Sequence, residues 1–298
     1  MTSTREQWLQ ARRAGLGSSD AAAVCGLSPW KTPLHVYLDK TDTGPVVDDA
    51  PDGGPLYWGT RLEPLIVEEY ERRTGLEVRK ATYRIVRHPS VEWLCSSPDA
   101  EAGEDVVVEV KTAAMRKGWG EPNTDQVPEH YLVQGLHHLA ANPRLARCDF
   151  AVLFHGSDFQ VYTVARSPHV ESHLLRIERD FWESNVRRRV PPPPDWSHPD
   201  TPALVRALGR PAVEVELGPD LAAMAREYKA LGAEAGAIEK RREEIKARLQ
   251  QGIGTPGVGR FPGGSVTWKP VTVNYKPKPA SVSVQDRVQV KLEGQSDE

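Results

Sequence analysis

"SPDAEAGEDVVVEVKT", residues 97–112, decides how the chain is to be read. Asp99 closes a short polar run, Gly103 marks a turn, and Asp105 to Thr112 has the β-branched content of a strand. Side chains along a strand alternate between faces, so Glu109 and Lys111 share one face while Val108 and Val110 share the other. One face is then core and the other carries charge. If Asp99 ends the partner strand of the same hairpin, its carboxylate comes beside Glu109, and two like charges at close range are unfavourable unless a cation neutralises them.

The surrounding pattern is α/β (α+β). A helix is expected from Trp8 to Arg13, then a Gly/Ser turn, a short Ala-rich helix and a second helix opened by Pro33. Residues 44–55 are rich in Pro, Gly and Asp and read as a loop. "YWGTRLEPLIVEEYERRTG" (57–75) has helical apolar spacing, with Glu63 near its start and Gly75 where a C-terminal cap belongs. Strands are expected at 77–86, 92–96 and 105–112, with the last two joined by the turn at Gly103. A helix at 127–143, a hairpin at 148–166 and an amphipathic helix at 168–190 follow. The tetraproline at 191–194 ends this domain, giving 1–194 as a catalytic domain and 195–219 as a linker. An appendage at 220–275 combines a long helix with a β-hairpin, and 276–298 is poor in apolar residues and reads as a disordered tail. In the long helix, Leu221, Met224, Tyr228, Leu231, Ala235, Ile238, Ile245 and Leu249 follow alternating steps of three and four, broken by Arg242.

The 298 residues carry a formal charge of −3, so contact with nucleic acid has to come from local Arg and Lys clusters. No apolar run is long enough for a membrane span, and the N-terminal stretch lacks a secretory h-region. Cys25, Cys95 and Cys148 form no metal-binding pattern and read as reduced core thiols. These features predict a cytoplasmic chain with no membrane partner.

Oxygen ligands at Asp99 and Glu109 favour Mg²⁺, with Mn²⁺ as a substitute, over zinc. Such a metal acidifies a water and stabilises charge on a phosphoryl oxygen, and the Lys111 ammonium beside it can position the nucleophile or offset charge. Pro98-Asp99, nine residues, then Glu109-Val110-Lys111 is the spacing of the PD-(D/E)xK nuclease motif. Alone, the motif is matched equally well by an ion-paired edge strand. The neighbouring segments are more specific. "GLGSSDAAAVCGLSPWKTP" (15–33), "WGTRLEPLIVEEYERRTG" (58–75), "SSPDA" (96–100), "VEVKT" (108–112) and "YLVQGLHHLA" (131–140) stand in the order found in YqaJ-like viral recombinase nucleases. The chain thus resembles that family, which is related to phage lambda exonuclease.

The resemblance implies a PD-(D/E)xK restriction-endonuclease-like core with a central mixed sheet flanked by helices. It implies that Glu63, Asp99, Glu109 and the Val110 carbonyl hold metal, that Lys111 is the catalytic lysine, and that Gln134 orders the water or scissile phosphate. Ser19, with either Arg12 or Arg13, matches positions that grip a DNA phosphate, a task suited to a hydroxyl beside an Arg fork. Ala100 departs from the family's usual Gly, which matters only if that position needs positive φ. The implied activity is 5′ to 3′ digestion of double-stranded DNA, leaving 3′ single strands for a single-strand annealing recombinase, by a homo-oligomer such as a ring. The rivals are an endonuclease in defence or repair and a non-catalytic DNA-binding protein on the same fold. His137 and His138 read as packing or surface residues, because adjacent helical positions do not face one site. Trp30, Trp58 and Trp93 read as core or motif-packing aromatics.

Overall fold

The computed structural model describes residues 5–41, 53–209 and 215–269. The chain divides into two units, residues 1–210 and 211–298. In the first, helices α1 (Arg5–Arg13), α2 (Ser18–Val24), α3 (Pro33–Lys40) and α4 (Pro55–Thr74) precede five strands. These are β1 (Val78–Lys80), β2 (Val86–Arg87), β3 (Cys95–Ser96), β4 (Ala100–Ala102) and β5 (Val106–Ala113). Helix α5 (Glu129–Ala141), the hairpin of β6 (Arg147–Phe154) and β7 (Asp158–Ala165), and helix α6 (Pro168–Phe181) follow.

The main sheet has the order β1-β4-β5-β6-β7. Strand β5 runs antiparallel to β4 and parallel to β6, and the other neighbours are antiparallel. The sheet is therefore mixed, and α5 is the crossover that a parallel β5–β6 pair requires. Alternation along β5 feeds two cores: Val106 and Val108 pack with Ile66, Val67 and Tyr70 of α4, while Val107 packs with Leu136 and Leu139 of α5. Both faces of the sheet are thus covered, which places the charged face of β5 under α5 rather than in open solvent. Gly135 lets the helix lie close, because a Cβ there would come within 3.0 Å of the Phe150 ring.

Several local expectations change. The segment 77–86 is two short strands rather than one, broken where Tyr83 takes a left-handed backbone at φ 56°. β3 pairs with β2, and the hairpin partner of β5 is β4, so Asp99 sits just before its strand rather than at the end of one. Helix α4 begins at Pro55, inside the stretch expected to be loop, so Glu63 lies mid-helix. The helix expected over 168–190 leaves α geometry after Phe181 and continues as a π-helical stretch, Trp182–Arg187. Beyond the tetraproline, where a linker was expected, α7 (Thr201–Ala207) buries Leu204 in a cluster with Leu34 and Leu38, so this segment is part of the first unit. Trp93 is buried, but Trp30 and Trp58 are exposed.

The second unit comprises the long helix α8 (Pro219–Ile253) and a hairpin of β8 (Gly257–Phe261) and β9 (Gly264–Trp268). The tail read as disordered lies outside the described residues.

Candidate active site

Strand β4 pairs with β5 only as far as Ala100 opposite Val108, so residues beyond it have no strand on that side. Asp99 takes up the first free position: Val110 N–H donates to Asp99 Oδ2 at 2.7 Å. Within an extended strand a residue's N–H and C=O point to the same side, so the Val110 carbonyl also faces the Asp99 side, past the end of β4. No left-handed φ occurs at Ala100, and the residue is fully buried, so the Ala in place of Gly imposes no backbone strain.

On the α5 side, Glu109 is 4% exposed and both of its oxygens are engaged. Lys111 Nζ and Gln134 Nε2 each donate to Oε1 at 2.5 Å, and His138 Nε2 donates to Oε2 at 3.0 Å. The other nitrogen of His138, Nδ1, lies 2.6 Å from Ser96 Oγ, where the hydroxyl donates because Nε2 carries the proton for the carboxylate. Lys111 Nζ also sits 5.1 Å from the Tyr131 ring centroid. Tyr131, Gln134 and His138 are spaced i, i+3 and i+7, so one face of α5 supplies all three. His137 points elsewhere. Its Nδ1 faces Glu178 Oε1 at 2.7 Å and its Nε2 the Cys95 carbonyl at 2.8 Å, two acceptors that together call for a doubly protonated ring.

Electrostatically the site has three carboxylates, Glu63, Asp99 and Glu109, against the ammonium of Lys111, with Lys80 acting less strongly on Glu63. Burial and the charge of Glu109 push the Asp99 carboxyl well above the ordinary carboxylate range, with Lys111 only partly offsetting them. Burial and Glu109 likewise raise Glu63. Glu109 goes the other way: burial opposes its charge, but Lys111 and His138 together hold it down to about 2. Burial disfavours the charged Lys111, yet Glu109 and Asp99 outweigh it and raise the group further, so it stays an ammonium. A polyanionic oxygen cluster of this kind suits a hard divalent cation, which would remove the repulsion that Asp99 and Glu63 otherwise suffer. The oxygen donors of Asp99, Glu109, Glu63 and the Val110 carbonyl are of the kind a hard divalent cation takes.

The phosphate-gripping candidates separate. Arg12 Nη2 donates to Ser19 Oγ at 2.6 Å, and its guanidinium lies 4.6 Å from the Trp8 ring centroid. Arg13 turns instead toward Asp39, 3.5 Å away. Close packing sets the turn between α1 and α2: Leu16 N–H donates to the Trp93 carbonyl at 2.7 Å, and a Cβ on Gly15 would meet that same oxygen at 2.5 Å. Asp20 accepts the Gly17 N–H at 3.0 Å and forms a buried ion pair with Lys40 at 2.7 Å.

His138 is the residue that sequence reasoning left out. Neighbours 137 and 138 do not share a helix face, which keeps the pair from one site but not each member. The spacing of His138 four residues after Gln134 already placed it on the face of α5 that carries the glutamine.

The fold and site together are a mixed sheet flanked by helices, with buried carboxylates and a lysine at the end of a β-hairpin. Residues 7–142 match the model of the YqaJ-like viral recombinase domain. The uncharacterized protein YqaJ of Bacillus subtilis (strain 168) is 29% identical over 279 residues, covering 91% of this chain and 85% of that one. An alkaline exonuclease from Laribacter hongkongensis, LHK-Exo, superposes with a TM-score of 0.50 at 18% identity, over 62% of this chain and 94% of that chain. The latter likeness is one of fold. Among the described residues no helix is long and apolar enough to cross a membrane.

Proposed function

We propose that the protein is a Mg²⁺-dependent deoxyribonuclease, an exonuclease that hydrolyses phosphodiester bonds of linear double-stranded DNA from 5′ to 3′. The observation that carries this reading is the convergence of Asp99, Glu109, Lys111 and Gln134 at the free end of the β4–β5 hairpin. The 3′ single strands left behind are the substrate of a single-strand annealing recombinase, consistent with the YqaJ-like recombinase domain. The alkaline exonuclease fold supports the same reaction class.

A bound divalent cation supplies an acidified water and a positive centre for the scissile phosphate. The chain supplies the rest. Lys111, whose ammonium Glu109 and Asp99 favour, is placed to offset charge building on the phosphoryl oxygens. Gln134 holds Glu109 through its amide nitrogen at 2.5 Å, which leaves its carbonyl free to orient an attacking water. Arg12 and Ser19 form a donor pair suited to a phosphate oxygen, which selects Arg12 over Arg13 for that role. Exposed Trp30 and Trp58 offer flat apolar faces for bases, and Trp30 lies against His130 and Tyr131 of α5.

The test uses one linear duplex labelled at a single end and a closed circle of the same DNA, each with Mg²⁺. Progressive release of nucleotides from the 5′ end, no cut in the circle, and loss of release in Lys111→Ala are expected. Cutting of the circle would establish an endonuclease, and undiminished release in Lys111→Ala would refute the site assignment.

A further inference from the structure

Helix α8 runs for 35 residues and buries none of them. Leu221, Met224, Tyr228, Leu231, Ile238, Ile245 and Leu249 are each between 42% and 61% exposed. Their alternating spacing of three and four makes a single seam about 42 Å long, at a rise of 1.5 Å per residue. A strict 3.5-residue repeat over about four heptads fits another helix of the same repeat better than a flat surface.

We infer that α8 pairs with α8 of a second copy of this chain, and that the two helices run antiparallel. Charge complementarity selects both the partner and its direction. With Leu221, Tyr228, Ala235, Arg242 and Leu249 at heptad position a, the flanking g positions are Asp220, Glu227, Glu234, Arg241 and Arg248. Position g is acidic in the first half of the helix and basic in the second. In an antiparallel pair g faces g, so Asp220 meets Arg248 of the second copy and Glu227 meets Arg241, each twice by symmetry, against one like-charge contact of Glu234 with its own copy at the two-fold axis. The seam closes in the same register, with Leu221 opposite Ile245, Tyr228 opposite Ile238 and Leu231 opposite the small Ala235.

A parallel pair has the opposite electrostatics. There g faces e five residues on, which sets Glu234 against Glu239 and Arg241 against Lys246, and it stacks Arg242 on Arg242 across the seam. Antiparallel pairing moves Arg242 opposite Met224, where its stem can pack while the guanidinium keeps Glu239, 2.5 Å away. The polar residue in the seam is thus tolerated in one direction and repelled in the other. A two-fold contact of this kind makes assemblies with an even number of chains.

Sedimentation equilibrium of the full chain in low-salt buffer tests the inference. The wild type should sediment as a dimer or a multiple of one, and Leu231→Glu should halve the mass. Glu227→Arg and Arg241→Glu singly should each weaken the pairing about tenfold, the order expected when two surface ion pairs become repulsive. The double variant should restore it. A monomeric wild type, a mass unchanged by Leu231→Glu, or tighter pairing in Arg241→Glu, which only a parallel pair predicts, would overturn it. A mass unchanged by Leu231→Glu would also be the result if α8 instead engages a different protein.

Discussion

Replacing Asp99 with Asn should make the protein more stable and inactive at once. Burial and the adjacent Glu109 charge push Asp99 well above the ordinary carboxylate range, so the fold bears the cost of a charge it would rather neutralise. Asn keeps the shape and can still accept the Val110 N–H that Asp99 Oδ2 accepts at 2.7 Å. Relief of one crowded active-site charge is worth about 1–2 kcal/mol, or roughly 2–8 °C in Tm for a unit of about 200 residues. The divalent cation supplies a second readout that does not depend on activity. At about ten times its dissociation constant it should stabilise the wild type by RT ln 11, about 1.4 kcal/mol, and it should do far less for Asp99→Asn. Thermal unfolding followed by circular dichroism, with and without Mg²⁺, measures both effects in four scans. An Asn variant less stable than the wild type without metal, or one that gains as much from Mg²⁺, would show that the carboxylates are not a frustrated cation site.

Two further outcomes follow from the buried contacts. His138→Ala frees Glu109 Oε2 and the Ser96 hydroxyl, which should lower kcat about 10–100-fold with KM for DNA unchanged, and His138→Gln, which restores a donor to Glu109, should recover part of it. If Ala and Gln are equally impaired, the histidine only fills space. Asp20 is buried, which opposes its charge, but Lys40 and then Arg12 hold its carboxyl down to about 2 from the ordinary 3.8. A depressed carboxylate contributes its stability above the unfolded value and loses it as pH falls from 3.8 toward 2. Asp20→Asn should therefore cost about 2–3 kcal/mol at pH 6, and the gap to the wild type should close by pH 2 in urea titrations. A gap that stays constant with pH would assign the stabilisation to packing alone.

Strand β5 and the turn before it were legible in the sequence because Val106 to Val108 and Val110 are β-branched and Gly103 marks the turn, but the strand that pairs with β5 across that turn was not. The break at Tyr83 was not, since a left-handed residue other than Gly or Asn leaves no compositional mark. The start of α4 at Pro55 was hidden in a stretch whose Pro and Gly content reads as loop, although Pro is at home in a first helical turn. Exposure of Trp30 and Trp58 was equally hidden, because hydrophobicity states a preference for burial and not whether anything is there to bury against.

The sequence by itself determined the charged face of β5, the spacing from Asp99 to Lys111 and the order of the segments that resemble a YqaJ-like domain, because these depend on period and spacing along one chain. Only the tertiary structure decided that α5 lies across that face, that His138 rather than His137 reaches Glu109, and that Arg12 rather than Arg13 meets Ser19. Those choices depend on how far each helix is rotated about its own axis and how close it approaches the sheet. Packing sets both, through contacts such as Gly135 against Phe150 that join residues far apart in the chain.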